Sequence, residues 1–152
     1  MPIVSLSKLK AAVPPGASVL GLDFGSKTIG LAIADPTFLI ASPFGTIKRG
    51  KFMKDFNALQ IVIDSQNIGG LVCGLPIGMD GSEGPRCQST RQFVKNFLSK
   101  IDIAVAFWDE RLSTIAVERV LIGEVDMSRE RRKKVIDKLA AAYILQGALD
   151  SL

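Results

Sequence analysis

The chain has 152 residues, 47% of them hydrophobic and 22% charged, which is the composition of one ordinary globular domain. It carries 19 Lys and Arg against 15 Asp and Glu, and the formal net charge of +4 is compatible with an anionic partner without requiring one. The sequence has no histidine, which excludes histidine general bases, Ser-His and Cys-His nucleophiles and histidine-bound zinc.

From the sequence we expect neither a membrane-spanning helix nor a secretory signal. No apolar run approaches the roughly 20 residues of a membrane-spanning helix, and residues 1–17 lack the apolar segment of a secretory signal. We interpret 1–17 as a short N-terminal arm with one helical turn, followed by a single domain over 18–152. The two cysteines, Cys73 and Cys87, are too few for a disulfide framework and predict buried thiols in a reducing cytosol.

The first predicted elements of the domain are strands. Apolar runs at 18–24 and 28–35, joined by a glycine-bearing turn, predict a β-hairpin, and 38–47 predicts a third strand. Asp35 ends the second strand just before a proline, so we interpret it as a turn residue. Apolar residues at helical spacing then predict an amphipathic helix over 51–66.

The second half of the domain alternates strands with helices. The apolar run 68–75 predicts a buried strand, and Pro85 is well placed to begin the next helix. The remaining predictions are a strand over 101–108, a helix from Ser113 to about 122, a loop over 123–131 and a last helix over 132–150. This order of elements predicts an α/β domain in which a mixed sheet is covered by helices.

Acidic residues fall at the ends of predicted strands and in the last helix. Asp23 lies in or at the end of the first strand, Asp109 and Glu110 follow the last strand, and Asp137 lies in the last helix. A buried carboxylate is costly without a partner, so each acid taken alone is most simply explained by an Arg, Lys or backbone N–H partner. Taken together at one sheet edge, they favour a site for Mg²⁺, which prefers oxygen ligands. Two such ions about 4 Å apart can activate water and stabilise the leaving oxygen of a phosphodiester.

Basic residues supply candidate contacts to phosphate. Five of the six residues at 129–134 are basic, and they come immediately before the part of the last helix that carries Asp137. Cations at a helix N-terminus oppose the helix dipole. A solvated charged face is the simpler explanation of this run, and contact with a phosphate backbone is the functional one. The loop 78–86 leads into a helix N-terminus, which can bind anions. Lys27 fits either a phosphate contact or a solvated turn, and Arg111 fits either a phosphate contact or a salt bridge. The candidate nucleic-acid-binding residues are Lys27, Arg111, Arg131, Arg132, Lys133 and Lys134.

Four segments carry a family resemblance. In chain order they are GLDFGSKTIGLAIAD, GLPIGMDGSEGP, FWDERLST and KVIDKLAAAYILQGALD. Together they closely resemble the YqgF (RuvX) family, which is described as Holliday-junction-resolvase-like and as a pre-16S rRNA nuclease family. The resemblance extends over about 18–150. Gly78 is a departure, because many relatives have an asparagine there, and this puts in doubt any ligand contact from that side chain.

The resemblance implies an RNase H-like fold, a five-stranded mixed sheet whose first three strands are antiparallel. It implies a cytoplasmic enzyme that uses Mg²⁺ or Mn²⁺ to hydrolyse phosphodiester bonds when the 5′ end of 16S rRNA matures. Carried onto this sequence, the catalytic and metal-binding acids are Asp23, Glu110 and Asp137, with Asp109 as a secondary candidate.

Three other interpretations stay open at this point. The sequence DFGSKT in the hairpin resembles the phosphate-binding turn of actin-like ATPases and sugar kinases, although such proteins usually need two domains of this kind. The chain could also be a non-catalytic module that binds nucleic acid or protein. Within the nuclease interpretation, the motifs do not separate branched DNA from an rRNA precursor, and the resemblance alone favours RNA.

Overall fold

The computed structural model describes residues 3–112 and 129–152, and in the second segment it describes side chains from residue 139 onward. The helix predicted from Ser113 lies outside the described residues. The elements are α1 (Leu6–Ala12), β1 (Ser18–Phe24), β2 (Thr28–Ala34), β3 (Ala41–Lys48), α2 (Phe52–Ser65), β4 (Ile68–Leu75), α3 (Pro85–Leu98), β5 (Ala104–Asp109), a 3-10 helix (Glu110–Leu112) and α4 (Arg129–Asp150).

The strands form one five-stranded sheet in the order β3-β2-β1-β4-β5. β1, β2 and β3 are antiparallel neighbours, whereas β4 is parallel to both β1 and β5. The predicted mixed sheet with an antiparallel first half is therefore confirmed. Because β1, β4 and β5 are parallel, their carboxyl ends lie at the same edge, where functional groups of α/β proteins gather.

The third strand begins three residues later than predicted, because Asp35 organises the preceding turn. Its carboxylate accepts hydrogen bonds from the backbone N–H groups of Leu39 and Ile40, each at 2.7 Å, and from that of Thr37 at 3.1 Å. These N–H groups are thereby withdrawn from the strand ladder, and Phe38 takes a positive φ of 60°. The interpretation of Asp35 as a turn residue is confirmed.

Two other predicted boundaries are also shifted. β5 begins at Ala104 rather than 101, since the backbone N–H groups of Lys100 and Ile101 still bond to the carbonyl of Phe97 at the end of α3. α4 begins at Arg129, so the loop predicted over 123–131 is wrong for its last three residues. Arginine, glutamate and lysine are good helix formers, and they extend the helix toward its N-terminus.

The core lies on both faces of the sheet. Under α2 and α3, five phenylalanines pack ring against ring, with centroids 4.9 to 6.2 Å apart. On the opposite face, α4 lies so close that a Cβ on Gly21 of β1 would come within 2.7 Å of Leu145 Cβ. Cys73 and Cys87 are free and buried, as predicted. In the described residues, no helix is both long enough and apolar enough to cross a bilayer.

The N-terminal arm packs against the sheet. The N–H of Val4 donates to the carbonyl of Val105 at 2.9 Å, which extends the pairing beyond β5. α1 has seven residues rather than one turn, and its Leu9 is only 1% exposed. A Cβ on Gly70 of β4 would lie 2.9 Å from Val13 Cγ2, so the absence of a side chain at Gly70 lets the arm approach the strand.

Candidate functional site

Asp23 is buried at the carboxyl end of β1, on the face that packs against α4. Side chains alternate along a strand, and its neighbours Leu22 and Phe24 belong to the core under α2 and α3. Asp23 is 3% exposed, and its Cα partner on β2 is Gly30. A carboxylate in such a place is stable only when hydrogen-bond donors or a cation balance its charge.

Glu110 brings a second carboxylate to the same face. It follows β5 in the 3-10 helix and is half-buried. Its Oε2 lies 3.2 Å from the position that a Cβ of Gly74 would occupy, so the carboxylate rests on the main chain of β4. Ile144 of α4 approaches the same position. Because β1 and β4 pair in parallel up to Leu22 and Cys73, Asp23 and Gly74 are the next positions on adjacent strands, and the Glu110 carboxylate lies on the strand next to Asp23.

Asp137 belongs to α4, one turn before Ala141. The carbonyl oxygen of Ala141 is 3.2 Å from the Cβ position of Gly21, and Gln146 donates to the carbonyl of Leu39, beyond the end of β2. The end of α4 therefore lies over the amino end of β1, and its beginning faces the edge with the two carboxylates. The Asp137 side chain is outside the described part of the chain, and within that part no three acidic or cysteine side chains form a metal-binding group.

Asp109 is engaged by Arg111. Arg111 Nη2 donates to Asp109 Oδ2 at 2.7 Å, Nε lies 3.0 Å from the same oxygen, and the backbone N–H of Arg111 donates to Oδ1 at 3.0 Å. These bonds hold the pKa of the Asp109 carboxyl below its usual range. Asp109 is therefore committed to a salt bridge, one of the two interpretations of Arg111. A nucleic-acid contact from Arg111 stays a prediction.

The other predicted nucleic-acid contacts lie at two places. Lys27 is exposed in the hairpin turn, and its carbonyl accepts a hydrogen bond from the N–H of Arg49 at 2.8 Å. The basic run lies in the first turns of α4, where side chains are outside the described part. Its candidates are Arg131, Arg132, Lys133 and Lys134.

Two arginines outside the predicted set meet at the turn after Asp23. Arg49 Nη1 donates to the carbonyl of Gly25 at 2.7 Å, and Arg86 Nη2 donates to the carbonyl of Phe24 at 3.2 Å. Arg86 lies in the first turn of α3, within the stretch 78–86 that the sequence marks as a candidate anion site. Arg49 merely follows β3, and no local pattern links it to the hairpin, so sequence analysis missed it.

The loop after β4 is a compact turn next to Arg111. The N–H of Gly78 donates to the carbonyl of Ser82 at 2.9 Å, and Asp80 Oδ1 accepts from the N–H of Ser82 at 3.0 Å. Gly81 has a φ of +86°, which favours glycine. Asp80 and Gly81 therefore lie in a tight turn within the loop that was predicted over 78–86. Hydrogen bonding to Ser82 lowers the pKa of Asp80, and the nearby Arg111 charge adds to this.

Comparison with known proteins gives consistent matches. The model of the RuvX family, described as Holliday junction resolvase, matches residues 17–151. A protein of Rhodospirillum rubrum named "Putative pre-16S rRNA nuclease" is 57% identical over 152 residues, which cover all of this chain and 94% of the relative. A protein of Paramagnetospirillum magneticum with the same name is 56% identical over 99% of this chain and 97% of its own length.

Solved structures show the same fold at low sequence identity. RuvC of Thermus thermophilus in complex with a Holliday junction substrate superimposes with a TM-score of 0.54 at 14% identity, covering 89% of this chain and 94% of RuvC. Another structure of the same protein gives a TM-score of 0.53 at 13% identity, over 88% of this chain and 95% of RuvC. The fold is therefore RNase H-like, of the kind found in RuvC.

Proposed function

This chain belongs to the RuvX family, and we propose that it is a metal-dependent nuclease that hydrolyses phosphodiester bonds of the 16S rRNA precursor in the cytoplasm. The names of full-length relatives at 56 to 57% identity support this substrate.

The observation that carries the proposal is the placement of Asp23 and of the Glu110 carboxylate on the neighbouring ends of β1 and β4. One carboxylate is 3% exposed and the other rests on the Gly74 main chain, on the face covered by α4. Carboxylate oxygens are the donors that Mg²⁺ and Mn²⁺ take, and the chain has no histidine to offer a softer metal. The donor set therefore fits a hard divalent cation.

Asp137 is the proposed third ligand. α4 is oriented so that its beginning faces the two carboxylates, and helical periodicity puts residue 137 on the same row of the helix as the buried Ala140 and Ala141. Divalent ions held there, two in the mechanism we favour, would supply a nucleophilic water and stabilise the leaving oxygen. The role of the protein is to hold the three carboxylates ionised at fixed positions. Lys27 and the basic start of α4 would hold the phosphate backbone.

Cleavage assays test the proposal directly. An RNA fragment that contains the precursor 5′ end of 16S rRNA and a four-way DNA junction are each incubated with Mg²⁺ or Mn²⁺. We expect Asp23→Asn, Glu110→Gln and Asp137→Asn to lower RNA cleavage by at least about a hundredfold, since a metal contribution of several kcal/mol is lost. Asp64→Asn, an exposed change on α2, should cleave like the wild type. Folded Asp23→Asn protein with wild-type activity would refute the metal site.

Metal binding has a readout that does not depend on cleavage. A ligand that binds only the folded state raises the melting temperature. At a free ligand concentration of one hundred times its Kd, it adds about 2.7 kcal/mol to the free energy of unfolding. We expect Mn²⁺ to raise the melting temperature of the wild type and of Asp64→Asn, and to leave that of Asp23→Asn unchanged. A shift of equal size in all three proteins would place the bound ion elsewhere.

Cleavage of branched DNA is the second candidate activity, favoured by the description of the matching family model. The acidic site addresses the phosphodiester, so both substrates need the same three carboxylates. Faster cleavage of the four-way junction than of the rRNA precursor at equal protein concentration would select this alternative.

A further inference from the structure

We propose that Arg49 and Arg86 form a phosphate-binding subsite that holds the backbone of the substrate strand next to the acidic edge. The proposal rests on the proposed nuclease function and adds a binding site on the opposite face of β1. Its ligand class is the phosphodiester group of a nucleic acid.

The two arginines converge on one short piece of main chain. Arg49 donates to the carbonyl of Gly25 and Arg86 to that of Phe24, the two residues that follow Asp23. Arg49 is delivered by the end of β3 and Arg86 by the first turn of α3, so two separate elements bring their charges to the end of β1. The subsite and Asp23 therefore share one strand end.

Both arginines line a small cleft of about 80 Å³ at the end of β1. Its polar lining includes Ser26 in the hairpin turn and Ser89 and Thr90 in α3. Arg49 and Ser89 also line a neighbouring cleft of about 280 Å³ between the start of α2 and α3. Hydroxyl groups and the first turn of a helix offer further donors to an anion. The two clefts are large enough to receive a phosphate group and part of its sugar.

The charge in these clefts is positive on balance. Their described lining has two guanidinium groups and one carboxylate, that of Asp55. Asp55 Oδ2 lies 3.9 Å from Arg49 Nε, and its Oδ1 accepts from the N–H of Gly50 at 2.9 Å. Asp55 is 1% exposed and offsets only one of the two arginines. Arg86 therefore contributes an excess positive charge to the lining.

Each arginine is oriented by the protein while most of its donors stay available. A guanidinium has five N–H groups, and in the described residues each of these two donates one hydrogen bond to the turn. The Arg49 guanidinium also lies 5.9 Å from the ring centroids of Phe24 and Phe93, which limits its motion. A planar, pre-oriented fork is the group best suited to bind phosphate through paired hydrogen bonds.

The location explains why a substrate strand would need this contact. Asp23 faces α4, whereas Phe24 and the arginine pair lie on the side of α2 and α3. A strand that crosses the carboxyl edge of the sheet would meet the acids on one side and the guanidinium groups on the other. Phosphate contacts of this kind fix the register of a nucleic acid without reading its sequence.

The test measures binding in a protein that cannot cleave. Asp23→Asn is the parent, the probe is a fluorescein-labelled RNA with the precursor 5′ end, and Ca²⁺ replaces Mg²⁺. We expect Arg86→Gln in this background to weaken binding roughly ten- to a hundredfold, the range of one charge-assisted hydrogen-bonded contact. The slope of log affinity against log salt should fall by about one. Lys95→Gln is the matched control, because it removes one positive charge at an exposed position farther along α3. It should change the RNA affinity by less than about threefold.

Arg86→Lys separates charge from geometry. This substitution keeps the positive charge and loses the planar guanidinium. We therefore expect the same slope of log affinity against log salt as in the parent, and an affinity between those of the parent and Arg86→Gln. If a folded Arg86→Gln variant binds the RNA as tightly as the parent does, this subsite is refuted and the nuclease proposal stays intact. An equal loss in Lys95→Gln would refute it too, because net charge alone would explain the effect. If neither the parent nor the wild-type protein binds this RNA in Ca²⁺, the proposed rRNA-precursor nuclease and the subsite are both wrong.

Discussion

The close approach of α4 to the sheet makes Gly21→Ala an informative substitution. A Cβ at this position would lie 2.7 Å from Leu145 Cβ and 3.2 Å from the carbonyl oxygen of Ala141, whereas ordinary contacts begin at 3.4 Å. Neither a Cβ nor a backbone oxygen can rotate away from such a contact. The helix must therefore move outward by about 0.7 Å at this point.

The expected cost follows from overpacking. Adding a methyl group to a well-packed interior costs about 1 to 3 kcal/mol, and the loss of glycine freedom in the unfolded chain returns about 0.4 to 1 kcal/mol. At the middle of both ranges the net loss is about 1.3 kcal/mol, which lowers the melting temperature of a domain of this size by roughly 3 to 5 °C. Displacement of the helix that carries Asp137 should also lower cleavage by about ten- to a hundredfold at temperatures far below melting.

Thermal unfolding, monitored by circular dichroism, measures the change in melting temperature that Gly21→Ala causes. Gly45→Ala is the matched control, because Gly45 lies in β3 and a Cβ there meets nothing within 4 Å. We expect that control to stay within about 0.5 kcal/mol of the wild type. Equal melting temperatures for Gly21→Ala and Gly45→Ala would refute the view that direct contact with the strand sets the position of α4.

Two further predictions concern titration and thiol chemistry. Hydrogen bonds from the Thr37 side chain and the Ile40 N–H lower the pKa of Asp35 from 3.8 to about 2. Since the pKa of Asp35 is lower in the folded state than in the unfolded state, its stabilising effect is complete above pH 3.8 and is lost as the pH falls toward 2. Asp35→Asn should therefore flatten the dependence of the melting temperature on pH between these two values. A variant with the same pH dependence as the wild type would contradict this. Burial raises the pKa of both Cys73 and Cys87. Ellman's reagent should therefore modify neither thiol in the folded protein and both thiols in guanidinium chloride. Rapid labelling under native conditions would contradict the burial.

The parts of the fold that depend on local pattern were predictable. Apolar periodicity located the hairpin, α2 and β4 within one residue of their observed bounds. Asp23 stood out because a carboxylate at the end of an apolar strand calls for a partner. The start of β3 was not predictable in this way, since it depends on the hydrogen bonds that Asp35 makes to residues four and five positions ahead.

The arginine pair shows a different limit of sequence analysis. Arg49 and Gly25 are 24 residues apart, and Arg86 and Phe24 are 62 apart. These contacts exist because β3 returns beside the hairpin and α3 packs across the end of β1, so they depend on topology and not on local pattern. A basic residue just after a strand is usually a solvated charge, and only the assembled sheet distinguishes Arg49 from such a residue.

Glycine positions connect the architecture to the proposed chemistry. Gly21 and Gly74 lie on the sheet face under α4, and Gly147 lies on α4, where a Cβ would come within 2.7 Å of the Trp108 ring. Because side chains are missing at these contacts, the helix backbone can approach the strands closely, and the Glu110 carboxylate can rest on the main chain of β4. The separation between the sheet and α4 at these contacts is therefore set by the missing side chains of the glycines. A larger side chain at any one of them would shift α4, and with it the proposed third ligand, without replacing a single acidic residue.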